Sequence, residues 1–265
     1  MSAPSRPSLP PYSPLARMAE GYWVESQRPL ASLLFIAPLL VTYEAGLLVL
    51  GRHAVQNGAD VWLRSLLHWL GFSQYFLLPI LTVCILLGWH YTTRQSWRIS
   101  PGLLWGMAGE CLLLAICLRV LLQIQSVVVQ TMVAPLGMSL SLHLSLTVSG
   151  IGATVGTTVG TAVGFLGAGI YEELLFRLIL LSVLAWGLKR AGAGPQKSMV
   201  AAVLLVSLLF AGAHYVGQYG ETLRWFSFLF RFLAGIFFSI LFVYRGFGIV
   251  AGTHAGYNIL VGLLA

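Results

Sequence analysis

From residue 29 onward the chain is a succession of apolar runs, with polar residues confined to short gaps between them. A helix needs roughly 17–25 predominantly apolar residues to cross the hydrocarbon core of a bilayer, about 30 Å thick. Runs of that kind are expected over 30–50, 75–91, 101–123, a long stretch ending near 188, 199–217, 225–244 and 247–265. Residues 59–72 differ, because Asp60, Arg64 and His68 interleave with leucines. That pattern predicts an amphipathic helix lying on the membrane surface. Residues 1–28 hold five of the 11 prolines, several serines and Arg6, Arg17 and Arg28. They read as a flexible arm ending in a short interfacial helix around 15–24, with Tyr22 and Trp23 at headgroup level.

The expected fold is therefore all-α: a polytopic membrane bundle of seven transmembrane helices. It divides into the arm (1–28), N-terminal spans with the interfacial helix (29–149) and a C-terminal core (150–265). The stretch 150–188 leaves the count open. As one helix it would run about 57 Å, far beyond one span. It reads as one long protruding helix, as a re-entrant piece followed by a helix, or as two spans, which would make eight. Small residues recur at every fourth position, Gly152, Gly156, Gly160, Gly164 and Ala168, the ridge that lets helices approach closely. Charge favours seven. With the N-terminus inside, Arg6, Arg17, Arg28, Arg94, Arg98, Lys189, Arg190, Lys197 and Arg245 face inward, against Arg52, Arg64 and Arg224 outward. This is the positive-inside bias, and it places the N-terminus in the cytoplasm.

Composition narrows the class. Of 265 residues, 58% are hydrophobic and 9% charged, where a soluble domain carries about 25% charged residues. So little charge cannot cover a water-soluble surface, which excludes an ordinary cytosolic enzyme and a disordered chain. The net charge of +7 comes from scattered bases without a dense stripe, so no nucleic-acid partner is expected. Cys84, Cys111 and Cys117 sit in apolar runs and read as small hydrophobes.

Against this background seven ionisable residues fall inside apolar runs: Glu44, Glu110, Arg119, Glu172, Glu173, Arg177 and Arg231. Each costs about 2.5–3.5 kcal/mol at a helix centre and so calls for a partner, water or a function. Glu173 and Arg177 are i and i+4 in the favourable order for an ion pair. Glu172 lies about 100° around the helix, without that cation, and is the candidate general base. His214 and His254 also lie in apolar company, and His254 shares a helical face with Asn258, four residues on. A carboxylate, a histidine and a further His/Asn pair can activate water and stabilise an oxyanion. Blander readings attach to the rest. Arg231 is expected to pair with Glu44 or Glu110, Arg119 to snorkel from a span end, and His53, His68, His90 and His143 to be interfacial. Counted from the inner face, His214 stands roughly 12 Å deeper than His254, unless the last helix begins at a buried turn at 246–248.

Three motifs carry a resemblance: EExxxR at 172–177, FxxxH at 210–214 and HxxxN at 254–258, in that order in successive membrane segments. Together they resemble the CPBP intramembrane proteases, which include type II CAAX prenyl endopeptidases and bacteriocin-processing or immunity-associated proteins. The resemblance covers about residues 165–265. It implies that Glu172, assisted by His214, activates water, that His254 and Asn258 form the oxyanion site, and that Glu173 and Arg177 support them. It also implies an inner-membrane setting in a bacterium and a membrane-associated or lipidated peptide substrate. A metal-independent glutamate mechanism is the expectation, so no cofactor. The zinc alternative would use Glu172, His214 and His254 as ligands. A non-catalytic scaffold or immunity-type protein of the same fold is the second reading and a transporter the third, the latter disfavoured by the lack of an evident inverted repeat.

Overall fold

The computed structural model describes residues 21–51, 56–133, 155–217 and 220–264. Among these, all regular structure is helical. We number the helices α1 (21–26), α2 (Pro29–Leu50), α3 (Gly58–Trp69), α4 (Leu77–Thr93) and α5 (Pro101–Val133). They continue as α6 (155–190), α7 (Pro195–Ala213), α8 (225–245) and α9 (247–264). Among the described residues four helical stretches are long and apolar enough to cross a membrane: Pro29–Leu50, Pro101–Met132, Pro195–Ala213 and Trp225–Gly262. Leu77–Thr93 is apolar but shorter. Outward faces carry many large apolar side chains. On α5, Leu112, Leu113, Ile116, Val120, Ile124 and Val127 are all exposed, an arrangement that suits hydrocarbon rather than water.

The stretch Trp225–Leu264 is two helices. Gly246 has φ +79°, a left-handed conformation that costs a residue with a Cβ but not glycine. The chain reverses there, so α8 and α9 pack side by side. Phe238 stacks on His254 with ring centroids 4.6 Å apart, and Phe230 meets Tyr257 at 5.9 Å. The turn is internal, with Phe247 at 0% and Arg245 at 2% exposure. Arg245 is therefore not one of the inward-facing loop bases that the sequence suggests. It is paired with Glu110 at 2.6 Å and bonded to Ser26 Oγ and the Trp23 carbonyl of α1. Tyr22 also donates to Glu110, at 2.5 Å. This buried turn removes the depth mismatch between His214 and His254. The part of the expected interfacial helix before residue 21 lies outside the described residues.

The innermost helix is α9, surrounded by α2, α5, α6 and α8. Ser32 Oγ of α2 accepts from the Gly248 amide at 2.9 Å, and Cys111 of α5 donates to the Ile249 carbonyl at 3.4 Å. Helix α6 runs unbroken from 155 to 190, so the described part of the glycine-rich stretch is one helix without a re-entrant break; its first residues, 150–154, lie outside the described residues. Its ridge residues Gly160, Gly164 and Ala168 are buried. Ala168–Glu172 and Leu174–Leu181 are π-helical, a wide winding common at functional sites.

Helices α6 and α9 approach closely at Gly169. A Cβ there would sit 2.6 Å from the Ala251 carbonyl and 2.7 Å from the Ala255 methyl. Gly169→Ala is expected to cost about 1–3 kcal/mol by overpacking, read as a lower melting temperature in detergent. Gly187→Ala, which meets nothing within 4 Å, should not lower that temperature.

Several sequence expectations are corrected. Arg231 pairs with Glu221 at 2.6 Å, not with Glu44 or Glu110. Opposite charge alone makes those partners plausible, but α2 and α5 present their carboxylates to Arg64 and Arg245 instead. Arg119 lies inside α5, which continues to Val133, rather than near a helix end. His90 is fully buried against Trp97, whereas His68 is exposed; His53 and His143 lie outside the described residues. The amphipathic helix exists as α3, but its polarity is turned around. Asp60 is fully buried and faces the protein with Arg64, while Trp62, Leu66 and Trp69 are exposed.

Candidate active site

Glu172, Glu173 and Arg177 lie on the π-helical part of α6, His214 at the C-terminal end of α7, and His254 and Asn258 on α9. The structure brings them together. Glu172, His214, His254 and Asn258 line one cavity of about 410 Å³. Its other walls include Phe165, Phe226, Phe230 and Tyr257. A second chamber of about 430 Å³ shares Asn57, Glu172 and His214 with the first and adds Trp62 and Phe176. Glu172 therefore stands where two chambers meet, a polar group set in largely apolar walls, the usual make-up of a binding site.

The adjacent glutamates have different duties. Glu173 is fully buried, and its Oε1 accepts from Arg177 Nη1 at 3.0 Å and from His254 Nδ1 at 2.6 Å. Arg177 is also fully buried; its Nη2 donates to the Gly235 carbonyl at 3.3 Å. Phe210 and Phe238 cover the guanidinium, at 4.3 Å and 5.3 Å from their ring centroids. Such aromatic faces favour a desolvated cation. The carboxylate on Nδ1 makes that nitrogen a donor and leaves Nε2 of His254 facing Glu172 Oε2 at 3.7 Å. That is too long for a direct hydrogen bond.

The phenylalanine of FxxxH has a visible task. The Phe210 carbonyl accepts from His214 Nδ1 at 2.8 Å, so in neutral His214 the lone pair is on Nε2. Its ring lies edge-on to both histidines and to Phe176, and so spaces α6, α7 and α9 around the cavity.

Glu172 itself is buried, with 9% exposure. Its Oε1 accepts from Asn57 Nδ2 at 2.6 Å. Its Oε2 is enclosed and has no hydrogen-bond partner among the described residues. Motif reading does not single out Asn57. Asparagine before Gly58 and Asp60 carries a helix N-cap signal, but nothing local points across the fold to residue 172.

A network beneath Asn57 fixes α3. Arg64 pairs with Asp60 at 2.6 Å and with Glu44 of α2 at 2.9 Å. Tyr43 donates to Asp60 at 2.9 Å, and Tyr171, next to Glu172, donates to Glu44 at 2.5 Å. Burial lifts the Asp60 carboxyl above the ordinary carboxylate range, with the Arg64 guanidinium acting in the opposite direction.

Residues 154–260 match the pattern of a known family, described as type II CAAX prenyl endopeptidase Rce1-like. This segment is similar to the Rce1-like family. The match runs from the start of α6 into α9 and so contains all three motifs and all six residues expected from them. It agrees with the resemblance to the CPBP proteases, and the family that the segment resembles is one of proteases. No curated protein and no solved structure matches the chain. Asn57 and Glu44 lie outside the Rce1-like segment, which is why motif reading stops short of them.

The donor geometry bears on the zinc alternative. Among the described residues no three His, Cys, Asp or Glu side chains are grouped so as to hold a metal ion. His254 has one ring nitrogen committed to Glu173, and Glu172 one oxygen committed to Asn57. These contacts leave Nε2 of His254 and Oε2 of Glu172 uncommitted, and no chemical step below passes through a metal.

Proposed function

We propose that the protein is an intramembrane endopeptidase of glutamate type, acting on membrane-associated peptides. The observation that carries this reading is the enclosed Oε2 of Glu172, which has no partner among the described residues and faces His254 Nε2 at 3.7 Å on the wall of the cavity. In this mechanism a water donates one proton toward Glu172 Oε2, with His214 Nε2 as the assisting acceptor. Its oxygen attacks the scissile carbonyl carbon. The carbonyl π bond opens and the oxyanion is met by His254 Nε2–H and the Asn258 amide; the Glu173 carboxylate on Nδ1 supports positive charge on the ring. The tetrahedral intermediate then collapses with cleavage of the C–N bond, and the proton held by Glu172 passes to the leaving amine.

The family description supports a lipidated peptide as substrate. The aromatic chamber lined by Phe165, Phe226, Phe230 and Tyr257 supports an apolar group on that peptide. Seven spans with the N-terminus in the cytoplasm remain the preferred topology. Setting aside Arg245 and Arg64, which are held in internal ion pairs, leaves the excess of basic residues on the inner side.

A chelation assay tests the mechanism. Purified protein in lipid vesicles, given a lipid-anchored peptide library, is expected to cleave at the same rate before and after treatment with a strong chelator. Loss of cleavage on chelation, with recovery on adding zinc, would replace the glutamate mechanism by a metal-dependent one.

A further inference from the structure

We infer that Asn57, at the start of α3, is a positioning residue for the proposed peptidase reaction: its side-chain amide holds Glu172 in the orientation that leaves Oε2 free for the reacting water. This rests on the peptidase reading for its purpose, while the contact itself stands on the geometry.

The two ends of the Asn57 amide are both spoken for. Oδ1 accepts from the Ala59 amide at 2.9 Å, capping α3. A backbone N–H can only donate, so this contact fixes which end is oxygen and makes the other end the NH₂ group. Nδ2 then donates to Glu172 Oε1 at 2.6 Å. A donor on a carboxylate stabilises its ionised form, the form a general base needs before attack. It also occupies one oxygen and selects the other for water.

Asn57 can do this only because α3 cannot drift. Asp60, in the first turn of α3, is fully buried and bonded to Tyr43 of α2 and Arg64. Arg64 reaches Glu44 of α2, which in turn accepts from Tyr171 of α6, the residue before Glu172. The cap residue and the glutamate are thus tied through one continuous set of hydrogen bonds. A cap with no further duty would need only the Ala59 contact. It would not need the amide donor, since serine, aspartate and asparagine cap comparably.

That difference supplies the test. Asn57→Ser keeps a capping oxygen but has no amide and is too short to reach Glu172. Asn57→Asp keeps the cap but is acceptor-only when ionised. The full chain in lipid vesicles is compared as wild type, Asn57→Ser, Asn57→Asp and Glu172→Gln. One readout is modification of Glu172 at pH 7 by dicyclohexylcarbodiimide, which attacks protonated carboxyls, followed by mass spectrometry. The other is turnover of the peptide that the wild type cuts fastest from the lipid-anchored library. A hydrogen bond to a charged group corresponds to a factor of roughly 10 to 100. Asn57→Ser is expected to be modified at Glu172 about 10-fold faster than wild type, in protein that still folds. Both Asn57 variants are expected to lose about 10- to 100-fold in kcat with KM within about threefold. Modification in Asn57→Ser at the wild-type rate, or wild-type kcat in Asn57→Asp, would overturn the assignment. Full turnover in Glu172→Gln would instead defeat the peptidase reading, and the modification rates would still decide whether Asn57 holds Glu172.

Discussion

Glu172→Gln is expected to abolish peptide cleavage while leaving the protein folded. Glutamine keeps a carbonyl oxygen that can accept from Asn57 Nδ2, so the tie at 2.6 Å survives. Its other terminal atom is an NH₂, which cannot take a proton from water. Losing a general base costs about 10²- to 10⁴-fold, and the upper part of that range applies here because the same carboxyl must also return its proton to the leaving amine. The expected drop is about 10³-fold or more, equivalent to roughly 4 kcal/mol of transition-state stabilisation. Melting temperature and chromatographic behaviour should match the wild type. A folded Glu172→Gln protein that cuts at the wild-type rate would leave this residue without a catalytic duty.

The second large effect is on stability. Arg177→Met removes a fully buried cation and strands Glu173, whose Oε1 then has only His254. Leaving a buried charge without its partner costs about 3–5 kcal/mol, enough to prevent recovery of folded protein from a marginal bundle. The double variant Glu173→Gln/Arg177→Met removes both charges together. It is expected to recover most of the lost stability, because neutral groups of similar volume replace a buried pair at little cost. Cleavage should not return with it, because Nδ1 of His254 no longer faces a carboxylate. Unfolding in detergent and turnover, measured on the wild type and both variants, separate the two duties. Recovery of both in the double variant would show Glu173 to be a brace alone.

Much of this site is legible in the sequence. Charge is so scarce that Glu172, Glu173 and Arg177 stand out, and i, i+4 spacing already pairs Glu173 with Arg177, as found at 3.0 Å. That His214, His254 and Asn258 share a cavity with Glu172 is what the resemblance of the three motifs implies. What spacing does not convey is which helix faces meet. Arg231, Glu44 and Glu110 each need a partner, yet the partners are Glu221, Arg64 and Arg245, chosen by packing between segments distant in sequence. Arg245 resembles a loop base because it adjoins glycines, but Gly246 turns the chain inside the bundle rather than at its surface. Asp60 and Arg64 give α3 the pattern of a helix with its polar side to water. A polar face satisfied by Glu44 and Tyr43 gives the same pattern as one satisfied by solvent. Asn57 stays hidden for the related reason that an N-cap needs no long-range partner.

The most direct test of the central claim, that this cavity hydrolyses peptide bonds at Glu172, is the origin of the oxygen in the products. Wild type and Glu172→Gln are incubated in vesicles with the lipid-anchored peptide library in water enriched in heavy oxygen, and peptide termini are read by mass spectrometry. The wild type is expected to yield new carboxyl termini that each carry one heavy oxygen, and Glu172→Gln to yield none. Absence of new termini with the wild type, or equal yields from the two proteins, would contradict the account.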